Sequence, residues 1–331
     1  MYYLLISLII LSSLFSISSN SWINMWIGME INLISFLPLM INNSNSFSSE
    51  SMIKYFIIQT FASINFIFIS LTKMLFFPLN QFHIFMIILL MSTLLMKMGA
   101  SPFHSWFPQI MKTLNWQNCL ILSTWQKIIP MIILSYIFMY NFMIIPIILS
   151  SSIGSILGMN QSNLKLIMSY SSINHISWLL CSLMMHLMNW LIYFFVYSIT
   201  NFILISFFKK FKIYYFNQFI STSILYSTKL FIMLNFLSLS GLPPFIGFFP
   251  KWFIINFLIL NNFLWVSLIL ILNSLITIFF YLRLCFNSLI INYDQPKWSL
   301  SYHYSTLQMI SMFSSFTVFN LFFMTLIFQV M

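Results

Sequence analysis

The chain has 331 residues, of which 61% are hydrophobic and 5% charged, with a formal net charge of +10. Soluble domains carry about 25% charged residues, so a water-soluble fold of this length is excluded for want of polar surface. The bases are scattered between apolar stretches rather than gathered on one face, which argues against nucleic-acid binding.

Barrel strands would show short segments of alternating polarity. The apolar runs here are long and uniform, as from Trp190 to Phe208, so the expected structure is an all-α polytopic membrane protein. The first residues lack an Arg-rich presequence and a basic n-region, and no cleaved leader is expected. The bias toward Phe, Ile, Met, Asn, Lys and Ser, with little Gly, Ala or Arg, is what an AT-rich gene such as an organelle gene produces.

A spanning helix needs about 20 mostly apolar residues. The first is expected at 3–18 and the second at 22–41, with Glu30 near its middle. The third, 51–72, begins beside Glu50 and Lys54, an (i, i+4) pair that reads as a surface contact. The fourth, 82–108, carries Lys97, then G-A-S-P-F-H-S-W-F-P with His104 inside it. The fifth, 116–138, holds Lys127 in T-W-Q-K-I-I-P. Spans follow at 142–159, at 164–184 with His175 in a polar stretch, and at 189–208. After a basic connection the ninth, 228–253, contains G-L-P-P-F-I-G-F-F-P and then Lys251; the tenth is 262–286 and the eleventh 308–329. Cys119, Cys181 and Cys285 lie far apart in apolar runs, form no metal or disulfide framework, and read as small core residues. His83, His186, His303 and Asp294 read as loop or interfacial groups.

With this threading, Lys54, Lys112, Lys165, Lys209, Lys210, Lys212, Lys229, Arg283 and Lys297 fall at loops or helix ends on the side of the N-terminus, and Lys73 alone falls opposite. The positive-inside rule makes the first side cytoplasmic, or the matrix in a mitochondrion, and an odd span count places the C-terminus across the membrane.

The two Pro- and Gly-containing strings match at Gly99/Gly241, Pro102/Pro244, Phe103/Phe245, Phe107/Phe249 and Pro108/Pro250, each pair 142 residues apart (241−99). Proline removes a backbone donor and crowds the preceding turn, so both spans should be broken. Broken backbone at membrane depth must be buried in protein or line a hydrated cavity. The broken spans are the fourth and the ninth, an odd number of positions apart, so they run in opposite directions, the pattern of two inverted halves around a transport site. Prolines that merely kink two helices for packing are the bland alternative.

Glu30, Lys97, Lys127 and Lys251 are ionisable groups inside apolar spans. Each costs about 2.5–3.5 kcal/mol at a helix centre. Such groups normally face a bundle interior and mark ion paths or proton relays. Snorkelling of Lys251, a shifted span around Lys127, and a purely structural Glu30–Lys97 pair are the competing explanations. His175 and His104 are weaker relay candidates, for which a satisfied core or packing histidine is the alternative. No nucleotide loop, cysteine cluster or His–Glu metal motif appears, so no redox centre is expected in this chain.

The segments W-I-G-M-E-I-N-L-I-S-F-L-P at 26–38, K-Y-F-I-I-Q at 54–59, K-M-G-A-S-P-F-H-S-W-F-P at 97–108, T-W-Q-K-I-I-P at 124–130, N-Q-S-N-L-K at 160–165, S-S-I-N-H at 171–175 and G-L-P-P-F-I-G-F-F-P-K-W at 241–252 carry a specific resemblance. Through its whole length the chain resembles chain 2 of animal mitochondrial NADH–ubiquinone oxidoreductase, one of the antiporter-like subunits of respiratory complex I, closest to insect forms. The resemblance implies two inverted five-helix repeats, about 3–138 and 142–286, each with a broken helix, plus a C-terminal helix at about 308–329, all in a single antiporter-like membrane domain spanning 1–331. It implies that Glu30 pairs with Lys97, that Lys127 is the central lysine linking two half-channels, and that Lys251 is the lysine of the second broken helix. It places NADH, FMN, iron–sulfur clusters and ubiquinone in other subunits of the complex. The implied partners are the other membrane-arm subunits, including the other antiporter-like ones, and membrane lipid, with no nucleic acid. The location it implies is the mitochondrial inner membrane, with the N-terminus in the matrix and the C-terminus in the intermembrane space. A related Mrp-type cation/proton antiporter, or a scaffold with a disused relay, would carry a similar bundle.

Overall fold

The apolar runs fold as helices, because with no water at membrane depth a chain must satisfy its own backbone. The computed structural model describes residues 2–41, 46–75, 80–221, 226–243 and 245–290. The helices among them are α1 (Tyr2–Ser18), α2 (Trp22–Met40), α3 (Ser46–Leu75), α4 (Asn80–Met98), α5 (Trp106–Thr113), α6 (Trp116–Ser123), α7 (Trp125–Tyr136), α8 (Tyr140–Met159), α9 (Leu164–Met185), α10 (Leu187–Phe211), α11 (Phe216–Ser221), α12 (Tyr226–Ser240), α13 (Phe248–Leu260) and α14 (Leu264–Ile290). The sheet-like element among the described residues is one isolated antiparallel bridge between Asn163 and Tyr215.

Among the described residues six stretches are long and apolar enough to cross a bilayer: Trp22–Met40, Phe47–Lys73, Trp116–Tyr136, Tyr140–Met159, Leu187–Phe211 and Leu264–Phe286. Shorter apolar helices cover Tyr2–Ser18, Ile84–Met98, Lys229–Ser240 and Phe248–Leu260. The chain is an all-helical, multi-pass membrane protein. Each of the first ten expected spans coincides with one helix or with two consecutive ones. The eleventh, at 308–329, together with Asp294, Lys297 and His303, lies outside the described residues, as do Pro244 and the side chain of His83.

Helix α9 carries a run of polar residues among its apolar ones, and nearly all of it is buried, including Ser169, Ser171, Ser172, Asn174, His175, Ser177 and Ser182. A helix that faces protein on all sides has no lipid to match, so it tolerates polar residues. Its serines satisfy themselves: Ser169 Oγ donates to Leu166 O at 2.7 Å, Ser172 Oγ to Ser169 O at 2.7 Å and Ser177 Oγ to Asn174 O at 2.6 Å. This back-bonding to the preceding turn is how a Ser-rich chain keeps hydroxyls out of contact with lipid.

The described residues fall into two compact units, Met1–Ser150 and Ser151–Met331, with the division inside α8. In the first, α2 packs on α1 and α3, while α4 packs on α3 and α7. A methyl group on Gly28 of α2 would meet Ser16 Cβ of α1 at 2.6 Å, so those two backbones approach through small residues. In the second unit, α9 and α12 pack on α10, and α13 packs on α9 and α14. There Asn273 Nδ2 of α14 donates to Ser151 Oγ at 2.9 Å, and Arg283 Nη2 donates to Met159 O at 2.7 Å, capping α8.

Both expected breaks are present. Helix α4 stops at Met98 and α5 begins at Trp106; α12 stops at Ser240 and α13 begins at Phe248. Gly99 at φ +73 and Gly241 at φ +79 end the first half of each pair in the left-handed region, where a side chain is disfavoured. Alanine at either position should cost about 1–2 kcal/mol in backbone strain. Gly241→Ala should cost more than Gly99→Ala, because its methyl would lie 2.7 Å from Lys251 Cδ. Thermal unfolding of the two variants in detergent, compared side by side, checks the order.

A third interruption was not expected. The fifth span divides at Thr124, whose φ of −116 and ψ of −74 distort the right-handed backbone between α6 and α7. Thr124 N–H still reaches Leu120 O at 3.0 Å, and Pro130 supplies no N–H for the Gln126 carbonyl. One proline in an apolar run announces a weakened ladder without announcing where the backbone yields.

Candidate functional site

A helix that stops inside a membrane leaves its last carbonyls without partners. In the first unit these are met from elsewhere in the fold. Trp106 Nε1, at the start of α5, donates to Met96 O at 3.1 Å, and Gln59 Nε2 of α3 donates to Lys97 O at 3.2 Å. The Lys97 side chain is thereby left for other contacts. It is 8% exposed, and its ammonium donates to the Met29 thioether at 3.5 Å, a weak acceptor.

Glu30, next to Met29, is half-buried, and its Oε1 has no hydrogen-bond partner. The expected pairing with Lys97 is electrostatic and indirect. Glu30 is the charged group acting on Lys97 through space, but the two form no direct ion pair. Among the described residues the direct pair is Lys54 Nζ–Glu50 Oε1 at 2.6 Å, an exposed (i, i+4) contact as the spacing predicted.

Lys97 lines a small cavity of about 20 Å³, together with Asn32, Tyr55, Gln59, Gln126 and Pro130. Lys127 lies in the first turn of α7, one residue beyond Gln126, and is 1% exposed. Its Nζ sits 5.2 Å from the centroid of the Phe107 ring, close enough for the ring face to attract the cation. Phe107 is in turn the residue against which Gly99 is packed. A loop position for Lys127, from a shifted span, does not fit its burial. His104 lies half-buried in the turn before α5, with Nδ1 3.3 Å from Pro102 O, and is not part of the cavity wall.

The second unit solves the same backbone problem differently. Lys251, 4% exposed, reaches back from α13 and donates to Ser240 O at 2.7 Å and Leu239 O at 3.4 Å. The lysine itself caps the broken helix, and the partial negative charge of the helix C-terminus faces its ammonium. Trp178 of α9 lies below it, with the ring centroid 5.5 Å from Nζ. Lys251 does not snorkel, since its side chain turns inward to backbone carbonyls. His175 is buried on α9, sharing a 2.9 Å hydrogen bond between Nδ1 and the Tyr193 hydroxyl, with the Tyr197 ring 4.9 Å away. His175, Tyr193, Tyr197, Thr200 and Ser238 line a second small cavity of about 10 Å³, bounded also by Gly247 and Pro250.

Thus the fold gathers Glu30, Lys97 and Lys127 in one unit and His175 and Lys251 in the other. The sequence reading passed over the neutral groups between them: Asn32, Tyr55, Gln59 and Gln126 around Lys97, and Tyr193 and Tyr197 beside His175. A tally of uncharged amides and hydroxyls at mid-span depth would have found them. It also placed Lys165 and Lys229 at the rim, whereas both are buried. The Lys165 ammonium lies 4.8 Å from the Tyr214 ring, because the segment after α10 folds back on the start of α9, with Leu164 N–H donating to Tyr214 O at 2.9 Å. The three cysteines are buried free thiols, as expected. Among the described residues no group of three or more His, Cys, Asp or Glu is placed to hold a metal ion.

Comparison with known proteins places this arrangement. Residues 19–277 match the family model described as the NADH:quinone oxidoreductase/Mrp antiporter membrane region. NADH-ubiquinone oxidoreductase chain 2 of Anopheles gambiae is 46% identical over 302 residues, 90% of this chain and 89% of that one. The protein of the same name from Aedes aegypti is 43% identical over 330 residues, 98% of this chain and 97% of its own length. A chain of respiratory complex I from Thermus thermophilus superposes with a TM-score of 0.86 at 18% identity, over 97% of this chain and 77% of that chain, a likeness of fold. By sequence along nearly its whole length and by fold, the chain belongs to the NADH-ubiquinone oxidoreductase chain 2 family.

Proposed function

We propose that the chain is a core membrane-arm subunit of the proton-pumping NADH:ubiquinone oxidoreductase, complex I, in the mitochondrial inner membrane. It takes part in moving protons from matrix to intermembrane space, driven by electron transfer from NADH to ubiquinone in other subunits. NADH, FMN, the iron–sulfur clusters and ubiquinone are held by those subunits, and the other antiporter-like subunits are among its neighbours. The observation that carries this reading is the chain 2 likeness combined with three lysines, Lys97, Lys127 and Lys251, buried at or beside interruptions in membrane helices.

In this reading Glu30, Lys97 and Lys127 exchange protons within the first unit, and Lys251 with His175 within the second; His104 serves packing. A buried lysine holds its proton according to the charges and dipoles around it, so a shift of Glu30 or of a broken helix end changes its proton affinity. In this reading the sequence carries two inverted five-helix repeats, about 3–138 and 142–286, followed by a C-terminal helix at about 308–329 within one antiporter-like domain. The clustering of bases at one set of helix ends supports an N-terminus in the matrix and a C-terminus in the intermembrane space.

Two measurements test this. Native purification from the membranes should recover the chain with flavin and iron–sulfur subunits; recovery without them would favour a free-standing Mrp-type cation/proton antiporter. In the recovered complex, Glu30→Gln should lower proton pumping per NADH oxidised by about threefold or more, in the range typical of an altered charge partner. Unaltered pumping in an assembled Glu30→Gln complex would remove Glu30 from the path.

A further inference from the structure

Two helix faces meet at the cavity beside Lys97. On α2, Met29, Asn32 and Leu33 share one face by their i, i+3, i+4 spacing, and on α7 Gln126, Ile129 and Pro130 do the same; all six line the cavity. Across the gap, Asn32 Nδ2 donates to Gln126 Oε1 at 2.8 Å and Gln126 Nε2 donates to Asn32 Oδ1 at 3.2 Å. The pair closes a ring of two hydrogen bonds between the helix that carries Glu30 and the helix that carries Lys127.

We propose that the reciprocal Asn32–Gln126 amide pair is a positioning element for proton exchange, fixing the spacing of α2 and α7 and forming part of the hydrogen-bonding wall beside Lys97. This rests on the proton-translocating reading above.

The chemistry fits the position. A primary amide donates and accepts at once and carries no charge, so it orders hydrogen bonds along a wall without trapping a proton. Gln126 sits where α7 is least constrained. It lies two residues after the Thr124 interruption, and its own backbone carbonyl faces Pro130, which has no N–H to offer. A side-chain tether at this point therefore decides where the start of α7, and the Lys127 that follows, is held. Asn32 is buried, and its place on the cavity face of α2 puts Glu30 on a different face, outside the cavity wall. Packing alone would not call for amides, since replacing both partners of a buried hydrogen bond by apolar groups of similar shape is nearly neutral.

The test compares Asn32→Leu, Gln126→Leu and the exchange variant Asn32→Gln/Gln126→Asn in the assembled complex reconstituted in sealed vesicles. Pumping is measured per NADH oxidised and per assembled complex, and NADH oxidation by an artificial acceptor serves as control. Each leucine variant should lose pumping about three- to tenfold with the control reaction unchanged, and the exchange variant, which keeps both amides, should stay within about twofold of the natural protein. Natural pumping in the leucine variants overturns the proposal, as does an exchange variant no better than they are. Leucine variants that fail to assemble, beside a normal exchange variant, make the pair a folding contact and also overturn it. Lys97→Met separates this inference from the reading beneath it. If Lys97→Met stops pumping while the leucine variants pump normally, only the amide proposal falls; if Lys97→Met pumps normally, the reading falls and the proposal with it.

Discussion

Complex I carrying Lys97→Met in this chain should assemble normally and lose proton pumping by at least about tenfold, a bound set below the roughly hundredfold or more that a positioned proton-transfer group contributes. Methionine is unbranched, close to lysine in volume and free of charge, so the core around the site keeps its packing. The Lys97 ammonium caps no helix and forms no direct ion pair; its hydrogen bond goes to the Met29 thioether. The Lys97 carbonyl keeps its bond from Gln59 in the variant, because that bond uses the backbone. Removing a buried charge that no direct ion pair holds does not destabilise a fold, and replacing buried ions by apolar groups is often neutral or stabilising. The whole effect should therefore appear in transport. Proton uptake and release measured in sealed vesicles, normalised to the amount of assembled complex, decides it: full pumping would mean Lys97 is not in the path.

Lys251 should behave differently, because its ammonium has a structural task as well. Lys251→Met leaves the Leu239 and Ser240 carbonyls without their donor, and an unsatisfied buried acceptor costs about 1–3 kcal/mol. This variant should lose both stability and pumping, the first seen as a lower midpoint in thermal unfolding of the complex. Lys251→Arg separates the two losses. A guanidinium supplies donors to the same carbonyls but does not release its proton in proteins, so stability should largely return while pumping stays at least about tenfold down. An arginine variant that pumps like the natural protein would reduce Lys251 to a helix cap. The contrast with Lys97 follows from which side of the break each lysine occupies. Lys97 belongs to the last turn of the helix that stops, and Lys251 to the first turns of the helix that resumes, from where it folds back on the end of its predecessor.

Much of this was legible in the letters because the relevant physics is local. A run of about 20 apolar residues specifies a spanning helix wherever it falls, and Gly with Pro specifies a break through the two residues' own backbone constraints. Gly99 and Gly241 adopt positive φ as that reasoning requires. The four charges inside spans stood out because lipid makes any charge expensive. Less visible were Thr124, where the ladder gives way without a glycine, and α9, whose serines, asparagine and histidine look wrong for lipid and are acceptable because α9 is buried almost throughout.

By itself the sequence determined the helical class, the location of the breaks, the ionisable residues within them and the family. Only the tertiary structure decided what those residues touch: that Glu30 and Lys97 form no direct ion pair, that Gln59 and Trp106 cap one broken helix while Lys251 caps the other, and that Asn32 and Gln126 join two helices beside Lys97. The physical reason is range. Hydropathy and backbone constraint act between neighbours in the chain, whereas a hydrogen bond between residues 32 and 126, 94 positions apart, exists only once the helices have chosen their faces.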